Sequence, residues 1–150
     1  MRVFQGIAEI EAAVGEHLGY SDWLEITQER VNTFADATGD HQWIHVDPER
    51  AASGPYGTTI AHGYLTLSLL PVLGSQIFTV EGLKMRVNYG SNKVRFPAPV
   101  PVGSKVRAGA TVKSVDRTPK GANLILSYTV EVEGGDKPAL IAETVAVLVE

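Results

Sequence analysis

The chain contains no cysteine, so disulfides, thiolate metal sites and cysteine nucleophiles are all excluded. It also lacks any block of basic charge. Its 13 Lys+Arg stand against 17 Asp+Glu, a formal net charge of −4, whereas binding to nucleic acid calls for clustered positive charge. No run approaches the ~20 apolar residues that span a bilayer. Met1-Arg2-Val3-Phe4-Gln5-Gly6 lacks the apolar stretch of a signal peptide. The expectation is a cytoplasmic protein with neither a membrane nor a nucleic acid as partner. Internal repeats, low-complexity tracts and linkers are missing too, and no glycine cluster has the phosphate-loop pattern. At 150 residues the chain is expected to be one domain, residues 1–150.

The order of hydrophobic periodicities implies an α+β fold. Ile7, Ile10, Glu11 and Val14 have helical spacing, interrupted at Gly15 and Gly19. Tyr20 to Ile26 reads as a short strand. Thr27 is a candidate N-cap for a helix with Val31, Phe34 and Ala35 on its apolar face, ended by Gly39. Asp47-Pro48 reads as N-cap plus Pro at the first helical position of a short helix through Ala52. From Ala61 to Leu73 nearly every residue is apolar, as expected of a helix buried on all sides.

After Gly74 the period becomes two. Lys84 to Tyr89 and Asn92 to Phe96 alternate, Pro97 to Gly103 is too proline-rich for a central strand, and three long strands follow: Ser104 to Asp116, Ala122 to Glu133 and Leu140 to Val149. Their short, turn-rich connections predict antiparallel hairpins. Helices first and a strand meander last predict a helix covered by a curved antiparallel sheet.

The chemistry concentrates in Thr38-Gly39-Asp40-His41-Gln42-Trp43-Ile44-His45. A carboxylate and an imidazole in one apolar-flanked loop are costly to bury unless paired or used, and together they make an acid–base apparatus. Histidine suits the work because its ordinary pKa lies near ambient pH. From spacing alone two readings stay open: an acid–base pair, or a turn-capping Asp40 with a satisfied loop His45.

Gly63 opens the greasy helix, where its N–H has no intrahelical acceptor and faces the positive dipole end. It is either an oxyanion donor or a packing glycine. His62 reads as a structural residue or pocket wall, and Ser68, taken by itself, as a buried serine bonded to its i−4 carbonyl. His41 and His45 have i, i+4 spacing, but Gly39 and Asp47-Pro48 make a helix there doubtful, so no metal site is expected. His17 reads as a surface residue. Lys84, Arg86, Lys93, Arg95 and Arg107 are either phosphate contacts or the solvated face of the sheet, and the second reading is favoured for each.

The run Phe34 to His45 with Ala51 resembles the hydratase-2 motif of the MaoC-like (R)-specific enoyl-CoA hydratases: an aromatic residue, Gly-Asp, four residues, His, and a small residue after five more. Ala61-His62-Gly63 with Ser68 is similar to the opening of that family's central helix. Tyr89-Gly90 and Arg95-Phe96-Pro97-Ala98-Pro99-Val100 resemble its nodulation-protein-N-like branch. The resemblance thus covers most of the chain. Gln42-Trp43 stands where the family often has Asn-Pro, a change that bears on pocket shape and acyl-chain preference.

The resemblance implies a hot-dog fold, a long central helix wrapped by a curved antiparallel sheet, usually dimerised. It implies that Asp40 and His45 activate one water for attack on C3 of a trans-2-enoyl-CoA, giving the (3R)-3-hydroxyacyl thioester. Gly63, Ser68 and His62 would then lie on the oxyanion and substrate side, with an acyl-CoA thioester as partner and no cofactor. Alternatives are a hot-dog acyl-CoA thioesterase, an acyl-carrier-protein dehydratase of the His/Glu type, or a non-catalytic acyl-thioester-binding subunit. The Ala61 to Leu73 helix has no Asp or Glu, which counts against the dehydratase with its acid on that helix.

Overall fold

A computed structural model describes residues Met1–Glu150. Strand β1 (Arg2–Gln5) leads into α1 (Ile7–Ala12), then the short strands β2 (His17–Tyr20) and β3 (Leu24–Glu25). Three helices follow, α2 (Gln28–Thr38), α3 (Trp43–Val46) and α4 (Pro48–Ala52), and then a buried pair, α5 (Gly63–Ser68) and α6 (Leu70–Ser75). The chain ends in β4 (Phe78–Glu81), β5 (Met85–Arg95), β6 (Lys105–Thr118), β7 (Gly121–Val132) and β8 (Leu140–Val149).

The main sheet has the order β2-β6-β7-β8-β5, with β3 also beside β6, and all its pairs are antiparallel. A separate pair, β1 with β4, is parallel. No helix is long and apolar enough to cross a membrane.

Alternation along the strands builds the core. Val106, Ala108, Ala110 and Val112 of β6 and Leu124, Leu126, Tyr128 and Val130 of β7 are buried at every second residue. They face Leu65, Leu69, Leu70 and Leu73 of the helix pair, in one cluster that also takes in Ile7, Ile10 and Val31. A fully buried leucine such as Leu126 contributes about 1.5–3 kcal/mol relative to exposure.

Local signals hold where they are strongest. Thr27 Oγ1 accepts the Arg30 N–H at 3.1 Å, and Gly39 ends α2 in the left-handed region at φ 85°, which only glycine enters without penalty. Asp47 Oδ1 accepts the Arg50 N–H at 3.1 Å with Pro48 at the start of α4.

Three expectations are corrected. The strand foreseen over Tyr20 to Ile26 is two pieces, because Ser21 Oγ accepts the Ala108 N–H that a backbone carbonyl would otherwise take. The helix foreseen over Ala61 to Leu73 is two six-residue helices with Leu69 between them. Pro71 has no N–H to give the Leu67 carbonyl and crowds it sterically. The two alternating runs after Gly74 are one strand, β5, whose pairing with β8 slips at Asn88/Gly90 and Ser91/Lys93.

The proline-rich segment packs against the loop ahead of α5. Ile60 bridges Pro101, the Ala61 N–H donates to the Val100 carbonyl at 2.8 Å, and the Val102 N–H to that of Thr59 at 2.9 Å. This pairing carries residues 59–61 to the site.

Candidate active site

Asp40 follows the left-handed Gly39, so the chain leaves α2 and turns immediately into the loop. Its carboxylate is exposed, and its Oδ1 accepts the Gln42 N–H at 3.3 Å. His45 lies on the single turn of α3 and is only 7% exposed.

Two layers of hydrogen bonds fix the His45 ring. Its Nδ1 is 2.7 Å from the Ile60 carbonyl; a carbonyl only accepts, so Nδ1 carries the proton and Nε2 keeps a free lone pair. The Ile60 N–H donates to the Ile44 carbonyl at 3.0 Å. Gln28, at the start of α2, donates to the His45 carbonyl at 2.7 Å and accepts the Thr59 hydroxyl at 2.6 Å. One glutamine therefore ties α2, α3 and the 59–61 loop together. Burial lowers the pKa of His45 below the ordinary 6.5; the Ile60 bond works against this, the His62 ring reinforces it, and Asp40 opposes it.

His62 is buried directly before α5. Its ring stacks on that of His45 with centroids 3.8 Å apart and planes 23° apart, and its Nε2 donates to the Asp40 carbonyl at 3.0 Å. A carboxylate oxygen of Asp40 and one ring nitrogen from each of His45 and His62 lie within 4.8 Å of one another. These are metal-ligating atom types, but stacked imidazoles hold their in-plane lone pairs in two nearly parallel planes, 23° apart with centroids separated by 3.8 Å. Two such rings do not converge on one ion at the ~2.0–2.1 Å that zinc requires. The arrangement favours proton chemistry.

Gly63 heads α5, and its N–H lies ahead of the first intrahelical bond, from the Leu65 N–H to the His62 carbonyl. A Cβ there would stand 3.1 Å from the Phe96 ring. Glycine thus keeps this wall of the cavity open. The cavity, about 360 Å³, is lined by His45, Tyr56, Gly63, Thr66, Phe96 and Pro97, among others.

The residues singled out in the sequence divide accordingly. Asp40, His45, His62 and Gly63 come together, and His62, read in the sequence as a structural residue or pocket wall, contacts both Asp40 and His45. Ser68 does not join them. Its hydroxyl donates to the Tyr64 carbonyl at 2.7 Å, and it lines a different cavity with Arg86 and Tyr128. The buried hydroxyl-bearing residue that lines the His45 cavity is Thr66 instead, one turn after Gly63.

His41 and His45 diverge, since His41 pairs with Asp36 on the exposed side at 2.9 Å. Arg107 pairs with Glu131 and stacks on Tyr20 and Trp23. Gln28 and Thr59 went unseen in the sequence. Gln28 sits where any polar residue suits the first turn of a helix, and its long-range bonds have no local signal.

Residues 9–133 match the MaoC like domain family. The chain is 62% identical to 3-hydroxyacyl-thioester dehydratase Z of Mycobacterium tuberculosis (strain ATCC 25618 / H37Rv), across 97% of each chain. It is 46% identical to nodulation protein N of Rhizobium meliloti (strain 1021), covering 94% of this chain and 89% of that one. The solved structure of an (R)-hydratase from A. caviae involved in PHA biosynthesis superposes with a TM-score of 0.74. The two are 28% identical, over 90% of this chain and 96% of the other.

Proposed function

The chain belongs to the MaoC-like family of hydro-lyases, and we propose that within it this protein hydrates trans-2-enoyl-CoA reversibly to (3R)-3-hydroxyacyl-CoA through an Asp40/His45-activated water. The observation that carries the reading is the spacing of the two acceptors. Two hydrogen bonds of about 2.8 Å at a near-tetrahedral angle span about 4.6 Å, which suits one water donating to both an Asp40 carboxylate oxygen and a His45 ring nitrogen, two groups with ligating atoms within 4.8 Å of each other. With Nδ1 bound to the Ile60 carbonyl, Nε2 is the nitrogen left to accept.

The water's lone pair is then free to attack C3 while a proton passes to the pair. The C2=C3 electrons move onto the thioester carbonyl, whose developing enolate oxygen accepts from the Gly63 N–H. The same pair returns a proton to C2, completing net addition of H and OH without a cofactor. Residues 1–150 act as one catalytic domain in this reading.

Hydration of crotonyl-CoA, followed as loss of enoyl absorbance, tests the proposal. Release of free thiol without hydration would overturn it in favour of thioester hydrolysis. The pH profile tests the base. His45 must be neutral to accept a proton, and burial disfavours its imidazolium, so kcat/KM is expected to fall on the acid side only below pH 6.5, the ordinary imidazole value. A half-maximum at or above that value would remove His45 from the role.

We also propose a homodimer formed along β5. This strand is one of the two edges of the main sheet, and Met85, Val87 and Tyr89 on it are 55%, 45% and 78% exposed. An exposed edge with apolar side chains invites pairing with a second copy. Light scattering is expected to give about twice the 16.1 kDa chain mass, and an active monomer at micromolar concentration would refute it.

A further inference from the structure

The His62 ring is 2% exposed, yet its Nδ1 has no hydrogen-bond partner. Natural folds seldom leave a buried polar atom unpaired, and a leucine or phenylalanine of similar size would fill the space without that defect. What the imidazole contributes lies on its other sides. One face stacks on His45, Phe34 of α2 packs against the ring at 5.0 Å between centroids, and Nε2–H is bound to the Asp40 carbonyl.

Asp40 needs such a tie. Its remaining hydrogen bond is local, to Gln42 at 3.3 Å, and the bond to His62, 22 residues away in sequence, is the one that holds it to a distant part of the chain. His45 has its own support in Ile60. The two groups thus stand on separate supports, and His62 is the residue that touches both while directly preceding Gly63.

We propose that His62 is a positioning residue, a single buried ring that sets the separation of Asp40 and His45 by holding the backbone of one and the imidazole face of the other. Its kinetic consequence rests on the hydratase reading; its effect on the His45 ring does not. Displacing a reacting group by ~1 Å costs up to about 10²-fold in rate, so turnover is where the loss should appear, with substrate binding largely spared. The titratable groups facing the His45 ring are Asp40, which favours its imidazolium, and His62, which disfavours it. α2 contributes only the neutral Phe34 and Gln28, and the 59–61 loop the Ile60 carbonyl.

The test compares His62→Phe, which keeps a flat ring, with His62→Gln, whose amide reaches the Nε2 position and keeps the bond to Asp40. With crotonyl-CoA, His62→Phe is expected to lose roughly 10–100-fold in kcat with KM within about twofold, and His62→Gln to recover most of that loss. In His62→Gln, which keeps Asp40 in place, the His45 titration followed by nitrogen-15 NMR should move to higher pH, since the neighbouring imidazole is gone.

Wild-type kcat in His62→Phe, no advantage of Gln over Phe, or an unmoved His45 titration would each overturn the proposal. Should Phe fail to fold, His62→Leu takes its place against Gln. If the wild-type protein does not hydrate crotonyl-CoA, the hydratase reading fails, and the NMR titration alone then decides whether His62 acts on His45.

Discussion

Asp40→Asn and His45→Asn are each expected to lower hydration turnover by roughly 10²–10⁴, the usual worth of a positioned acid–base group. Both substitutions are chosen to spare the fold. In Asp40→Asn the new amide keeps an oxygen to accept the Gln42 N–H now bound at 3.3 Å. In His45→Asn the amide nitrogen stands where Nδ1 stands and keeps the bond to the Ile60 carbonyl, so that buried carbonyl is not orphaned at about 1–3 kcal/mol. What each change removes is an acceptor for the water.

With one acceptor left, the water loses either its orientation or its base, so the second substitution has little more to destroy. The double variant should therefore sit close to the worse single one, as for residues that act as a unit. Steady-state kinetics with crotonyl-CoA, with circular dichroism to confirm unchanged folding, decide the matter. Independent, multiplying losses, or a single variant near wild-type turnover, would sink the proposed pair.

The second large effect is stereochemical. His45 and Gly63 line one cavity, and the water proposed between Asp40 and His45 approaches from the His45 wall. If the thioester carbonyl is anchored on Gly63, the enoyl plane presents a single face to that water. Delivering the opposite face would require turning the acyl chain past Phe96 and Pro97, which line the same cavity. The expected product is (3R), essentially free of its enantiomer. Coupling hydration to an (S)-specific 3-hydroxyacyl-CoA dehydrogenase should give no NADH while the enoyl absorbance falls. A strong NADH signal would mean that the substrate binds flipped, or that other residues do the chemistry.

Much of this fold is legible without coordinates wherever the determinant is local. The Thr27 cap, the Gly39 stop, the Asp47-Pro48 start and the two late hairpins each depend on a few adjacent residues whose dihedral preferences and hydrogen-bonding groups act on their own neighbours. The α+β order follows as well, because a change of hydrophobic period from 3.6 to 2 needs no partner to be seen. The errors have one character. The strand over Tyr20 to Ile26 is broken by Ser21 reaching a β6 amide 87 residues away, and the helix over Ala61 to Leu73 is interrupted where its apolar pattern is strongest. Periodicity reports burial, and Pro71 reports geometry; at Leu69 geometry prevailed.

Residue order alone singles out the groups suited to the proposed chemistry: one carboxylate, one imidazole five residues on, and a glycine heading a buried helix. Which nearby polar residues join them is settled by packing. His62 read as a structural residue or pocket wall and Ser68 as a residue that the family resemblance places near the pair, yet Ser68 bonds back to its own helix while His62 stacks on His45. Gln28 and Thr59 drew no notice and nonetheless clamp the loop that carries Ile60. Side-chain direction depends on how separate elements come together, and no local pattern encodes that. A short polar side chain satisfied within one turn has no need of a distant partner, whereas a buried ring must find its contacts wherever the fold brings them.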